Sequence, residues 1–170
     1  MTHAPPVKLF IAILSSQDAS LEQALEMLAE VFGSVDFVGS RHPFDVTDYY
    51  EEEMGANLTR RIVAFSGPHC ADVLVGGKLA CIELEKGLST EGKRTVNLDV
   101  GYLDHNKIVL ASTKEAGQKI FIDSGIYADL VARYARGKYN PFEWTFPDFK
   151  DGRYDEEFAT VRKLLLSQVR

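Results

Sequence analysis

Residues 7–14 read VKLFIAIL, a run almost continuously apolar and rich in β-branched side chains. A strand with one solvated face alternates polar and apolar residues, because successive Cβ atoms point to opposite faces of the sheet. This run does not alternate. Both of its faces must therefore be covered, which places it in the interior of a sheet with a layer on either side. A chain of 170 residues is long enough to supply such layers without disulfide staples.

The residues that follow supply candidates for those layers. Leu21, Ala24, Leu25, Leu28 and Phe32 recur at helical spacing, with Asp18 or Ser20 placed to cap the start and Gly33 to stop the end. Residues 35–40 and 58–66 read as a second and a third strand, separated by an acidic, aromatic stretch at 44–55 that holds a short helix. Pro68 suits the first turn of another helix, whose apolar face is Cys70, Val73, Leu74, Gly77, Cys81 and Leu84, and which Gly87 ends. The pair Gly76-Gly77 could instead close a hairpin, since each interior glycine costs a helix about 1 kcal/mol relative to alanine. Four turns of apolar spacing favour the helix. Residues 94–100 alternate cleanly, with Val96, Leu98 and Val100 on one face and Thr95, Asn97 and Asp99 on the other. Further strands are expected at 107–111, 119–123 and 126–134, and a last helix carries Tyr154, Phe158, Val161 and Leu165 on one face.

These elements give an α+β fold. Residues 7–100 read as a ferredoxin-like βαββαβ core, the split βαβ arrangement, in which the doubly buried first strand is central. Residues 101–170 add a C-terminal antiparallel β-meander and a terminal helix, expected to cover a sheet edge or the open face. The expectation is a single domain over 1–170 with a flexible N-terminus at 1–6.

The net charge of −6 and a pI near 5.2 argue against a nucleic-acid polymer or an anionic membrane surface as partner, since either needs a broad basic face. A local basic pocket is compatible with this balance. Cys70 and Cys81 stand too far apart along one helix for a disulfide, and His69 lacks the second ligand pair that a zinc site requires. The apolar run at 7–14 is too short for a signal or a membrane span, so a cytoplasmic setting is expected.

Several activities can be argued away. Residues 87–93 match GxxxxGK, but Arg94 stands where a P-loop needs Ser or Thr, and the order is helix, loop, strand rather than strand, loop, helix. The first strand carries no carboxylate for a two-metal palm, and no GxSxG elbow is present. Two polar groupings survive. One is the stretch holding Asp45, Thr47, Asp48, Tyr49, Tyr50, Glu51, Glu52 and Glu53, dense enough in carboxylates to bind a hard cation or serve as acid or base. The other is Asn97 and Asp99 with Arg60 or Arg61 on the preceding strand, a combination able to fix a phosphate or carboxylate. Ser112-Thr113-Lys114, at a strand end, adds hydroxyls and a cation of the kind anion sites use, and Trp144 to Asp148 is an aromatic-proline turn expected to act as a packing clamp.

The signatures F-D-x-T-x-Y-Y-E-x-E-M-G at 44–55, R-x-V-N-L-D-x-G-Y at 94–102, K-x-V-L-A-S-T-K at 107–114, G-I-Y-A at 125–128 and W-T-F-P-D-F at 144–149 span most of the chain. Together they resemble a prokaryotic family known as domain of unknown function 4416. The resemblance implies a stand-alone small domain and carries no activity with it, and Gly76-Gly77 departs from the family's second helix. Two functional readings follow from the residues. In the first, Arg61, Asn97 and Lys114 bind a small anionic ligand, phosphorylated or nucleotide-like, while Asp45, Glu53 and Asp99 hold a divalent cation or act as the catalytic base. In the second, the chain is a non-catalytic protein-interaction module that docks a partner on a sheet edge or on residues 134–149.

Overall fold

The computed structural model describes residues 3–169. Of the flexible terminus expected at 1–6, residues 1 and 2 lie outside the described residues, and 3–6 are exposed and without regular structure. In chain order the elements are β1 (Lys8–Ser15), α1 (Asp18–Phe32), β2 (Val35–Val38), β3 (His42–Pro43), α2 (Glu51–Met54), β4 (Thr59–Phe65) and α3 (Val73–Gly87). There follow β5 (Val96–Leu103), β6 (Lys107–Ser112), β7 (Ile120–Asp123), β8 (Ile126–Ala135), β9 (Lys138–Pro141), α4 (Pro147–Lys150) and α5 (Asp155–Gln168). The architecture is mixed α+β. No helix among the described residues is long and apolar enough to cross a membrane.

The nine strands of the described residues join one antiparallel sheet in the order β2-β4-β1-β5-β6-β8-β7, with β3 on β4 and β9 on β8. The central place of β1, between β4 and β5, explains why its sequence does not alternate. Leu9, Ile11 and Ile13 pack in the core under α1 and α3, while Phe10 and Ala12 pack on the opposite side with Phe158, Val161 and Leu165 of α5. Each such fully buried Leu, Ile or Phe contributes about 1.5–3 kcal/mol through apolar surface removed from water. The one charged residue of the strand, Lys8, is fully buried, and its ammonium donates to Asp36, to the Phe65 carbonyl at 2.7 Å and to Gln168 Oε1 at 3.0 Å.

Three expectations about the elements need correction. Neither Asp18 nor Ser20 caps α1: Gln17 is the N-cap, and the Ser15 hydroxyl organises it by accepting from the Gln17 amide at 3.1 Å. Gly33 does end the helix, at a φ of +94°. Pro68 does not open α3, because the His69 backbone is already paired with Val7 in a short bridge, each amide 2.8 Å from the other's carbonyl. The helix starts only at Val73, so Cys70 lies in the preceding loop and is exposed, while Cys81 is buried in α3, and both thiols are free. Finally, β6, β7 and β8 are not a simple meander. The ten-residue β8 is long enough to pair β6 along one edge and to carry β7 and then β9 end to end along the other. These strands extend the sheet beyond β5, and α5 covers its second face.

The doubtful glycine pair is helical. Gly76 faces open space, and Gly77 is buried where a methyl group would sit 3.5 Å from Phe32 and 3.6 Å from Val100.

Candidate functional site

The site begins where two strands part. Pairing between β5 and β6 covers only Gly101 with Leu110, Tyr102 with Val109 and Leu103 with Ile108. Continued, the register would set Asp99 opposite Ser112, yet β5 stays on β1 down to Val96 and β6 stays on β8 out to Ser112. Gly101 stands at the fork. A Cβ there would lie 2.5 Å from the Val109 carbonyl oxygen and 2.8 Å from the Leu110 side chain, so only glycine permits the close approach before the strands diverge. On the far side of the fork the Leu98 carbonyl accepts from Lys78 Nζ of α3 at 3.2 Å, a side chain standing in for a missing strand.

The fork opens a cleft of about 550 Å³, within the range that holds a small-molecule ligand. Its floor is Asp99, Leu110 and Ser112, with Asp129 from β8. Lys78, Ile82 and Glu85 of α3 are reached through the gap, and Tyr49, Tyr50, Phe146 and Phe149 line it from the loops.

A chain of buried polar bonds holds one wall. The Arg60 guanidinium, almost fully buried, donates to Asp99 Oδ2 and to Asp148 Oδ2, each at 2.8 Å, and lies 4.7 Å from the centre of the Phe44 ring. Burial works against the Arg60 charge, but the carboxylates of Asp99 and Asp148 outweigh it and hold its pKa above the ordinary arginine value. Tyr154 donates its hydroxyl to Asp148 Oδ2 at 2.7 Å. Asn97 donates to Asp99 Oδ2 at 2.9 Å and accepts from Arg94 at 2.9 Å, so its amide is spent within the wall. Arg94 in turn grips Glu53 with two parallel bonds of 2.8 Å and reaches Glu85 at 3.3 Å. Those bonds pull the Glu53 carboxyl below its usual range, while burial pushes Glu85 above it.

The other wall is different in kind. Lys119 Nζ donates to Ser112 Oγ at 3.0 Å, and Lys114 Nζ lies 4.7 Å from the centre of the exposed Tyr49 ring. Neither lysine makes an ion pair among the described residues. Lining the cleft are six basic side chains, Arg60, Lys78, Lys86, Arg94, Lys114 and Lys119, against three acidic ones, Glu85, Asp99 and Asp129. Glu53 and Asp148 offset part of that excess where they bond the two arginines. The unbalanced charge is thus concentrated on the 112–119 loop, in a chain whose net charge is −6.

Of the residues singled out from sequence, Asn97, Asp99 and Lys114 all line the cleft. Arg61 does not. It pairs in register with Ile13, on the α1 and α3 face, whereas Arg60 pairs with Leu14 and shares a face with Asn97. Asp45, Glu53 and Asp99 are not brought together: Asp45 bonds Arg153 at 2.9 Å, Glu53 bonds Arg94 and Asp99 bonds Arg60. Among the described residues no group of three or more His, Cys, Asp or Glu is placed to hold a metal ion. The aromatic-proline turn clamps β8, with Trp144 donating to the Leu130 carbonyl at 2.8 Å and Thr145 to the Val131 carbonyl at 2.6 Å, and this sets Phe146 in the cleft lining.

Sequence reasoning missed Lys78, Glu85, Arg94, Lys119, Asp129 and Asp148. A signal existed for the first two: Leu74, Lys78, Cys81 and Glu85 form one buried stripe of α3, and two charges within such a stripe ask for a reason. Arg94 was visible as the residue that breaks a P-loop pattern and as the first residue of the signature at 94–102, neither of which marks it as part of a site.

Comparison with curated proteins and with solved structures finds no match to the chain. A family model does match, over residues 5–165, a span that includes every residue of the cleft lining. The chain belongs to the family described as domain of unknown function DUF4416.

Proposed function

We propose that the cleft binds a small anionic ligand through the 112–119 loop, with Lys114 and Lys119 as the charged contacts and the hydroxyls of Ser112 and Thr113 beside them. The carrying observation is that these two lysines face a cleft without carboxylate partners among the described residues, in an acidic protein. Arg60, Arg94 and Asn97 support the wall rather than contact the ligand, since each is bonded to side chains within it, although the buried Arg60 Nε has no partner among the described residues. The reading needs no metal, because the carboxylates expected to hold one are taken up separately by arginines.

The strand order β5-β1-β4-β2, with α1 and α3 on one face, favours reading this part as a ferredoxin-like core to which the later strands add the cleft's second side. A cytoplasmic setting suits two free thiols. Thermal unfolding measured with phosphate, sugar phosphates, mononucleotides and dicarboxylates tests the proposal. At least one should raise the melting temperature at ligand excess, and the Lys114→Ala, Lys119→Ala double variant should abolish the rise. No shift with any of them in the intact protein would falsify the reading.

A second reading, a protein-docking module, has one observation in its favour. Ile120, Phe121 and Ile122 of the edge strand β7 are 70%, 58% and 44% exposed, an apolar edge of the kind that pairs with another chain. Sedimentation at rising concentration distinguishes it, because a monomer throughout leaves that edge unexplained by self-association.

A further inference from the structure

Asp129 stands on β8 opposite Leu110, in the lining of the same cleft, and its Oδ1 is buried with no hydrogen-bond partner among the described residues. Burial pushes its carboxyl above the usual range, and Lys119 is the cation that opposes the shift. Lys119 nevertheless gives its bond to Ser112 and forms no ion pair with Asp129. A second acceptor is also open: Asp99 bonds through Oδ2, while its Oδ1 is met only by Lys78 at 3.7 Å. Folded proteins rarely leave a buried acceptor unpaired unless something else completes it.

We infer that the ligand carries hydroxyl groups beside its anionic group, that it is a phosphorylated polyol or sugar, and that Asp129 is the residue that selects it. This rests on the anion-binding reading above. With the phosphate held by Lys114 and Lys119, the neighbouring atoms of the ligand lie over the sheet floor, where Asp99 and Asp129 offer oxygens on either side of β6. An apolar substituent there would displace water from the cleft-facing carboxylate oxygens without replacing its hydrogen bonds. A hydroxyl satisfies them. An ammonium group would meet the lysines that hold the phosphate, so the neutral donor fits better.

The test compares glycerol 3-phosphate and ribose 5-phosphate with propyl phosphate, which presents the same anion on a chain without hydroxyls, by titration calorimetry. The intact protein should bind the polyol phosphates at least about ten-fold more tightly, the scale expected when a polar group loses its hydrogen-bond partner. Asp129→Ala should erase that preference while propyl phosphate binds as well as before or better, since a negative charge beside the anion has gone. Asp129→Asn, which keeps the shape and a neutral acceptor, should fall between the two and serves if the alanine variant does not fold. Equal binding of all three esters to the intact protein overturns the inference and leaves the anion site standing, as does an undiminished preference in both variants. Failure of every ester to bind overturns the inference, and the anion site falls with it when phosphate, mononucleotides and dicarboxylates also give no thermal shift.

Discussion

At the scale of single residues, Arg60 has the largest predicted effect. Its guanidinium balances Asp148, which is fully buried, and Asp99 at the cleft floor. Removing one partner of a buried pair leaves charge uncompensated, so Arg60→Met should lower the stability measured by urea denaturation by about 3–5 kcal/mol. Arg61→Met, one position along and on the other face, should cost less. The sequence offered both arginines and could not choose between them, because strand periodicity separates odd from even positions without naming the face that each will occupy. The pairing of Glu53 with Arg94 predicts a pH dependence. Arg94 lowers the Glu53 pKa below 4.5, so the stabilisation is present above that value and is lost as the pH falls through the folded-state pKa. Glu53 is about a third exposed, so solvent screening limits the pair to about 0.5–1 kcal/mol. Denaturation of Glu53→Gln should show that deficit at neutral pH, and the difference from the parent should vanish in acid.

At the scale of elements, three glycines separate two physical effects. Gly76→Ala meets open space and Gly77→Ala meets only ordinary van der Waals contacts, so each should raise stability by about 0.5–1 kcal/mol through helix propensity. Gly101→Ala must displace the Val109 carbonyl at the fork, and should lower stability by about 1–3 kcal/mol as overpacking does. Chemical denaturation of the three variants reads both signs, and a destabilised Gly76→Ala would contradict the helix at that point. Helix periodicity made α1, α3 and α5 legible, along with the all-buried β1, because each advertises its environment in its own side chains. The start of α3 was not legible: it is set by the pairing of His69 with Val7, some sixty residues away. The order of β6, β7 and β8 was hidden for the same reason, since nothing local to β7 says which edge of β8 it will take.

At the scale of the molecule, the cleft is a consequence of topology. It exists because β5 follows β1 and β6 follows β8 while the two join only near Gly101, and because α3 lies beneath the gap. Binding that relies on Lys114 and Lys119 at an open loop must weaken as salt screens them, the Debye length being about 10 Å at 0.1 M. Calorimetric affinity for a phosphate ester should therefore fall as ionic strength rises, whereas binding driven by the aromatic lining would not. Asn97, Asp99 and Lys114 could be picked out beforehand, because polar side chains on a buried strand and a lysine at a strand end are visible one at a time. Lys119 and Asp129 could not, since neither stands out in the sequence until the fold places both in the lining of one cleft. The sequence by itself determined most of the strands and helices, though not β3, β9, α4 or the start of α3, and that the first strand is covered on both faces. All of that follows from hydrophobic periodicity, which is local. Only the tertiary structure decided that Arg60 rather than Arg61 enters the site, that the expected metal ligands part company, and that two unpaired lysines share a cleft with an unpaired carboxylate. Those outcomes depend on register and on where neighbouring strands separate, and both are set by contacts between residues far apart in the chain.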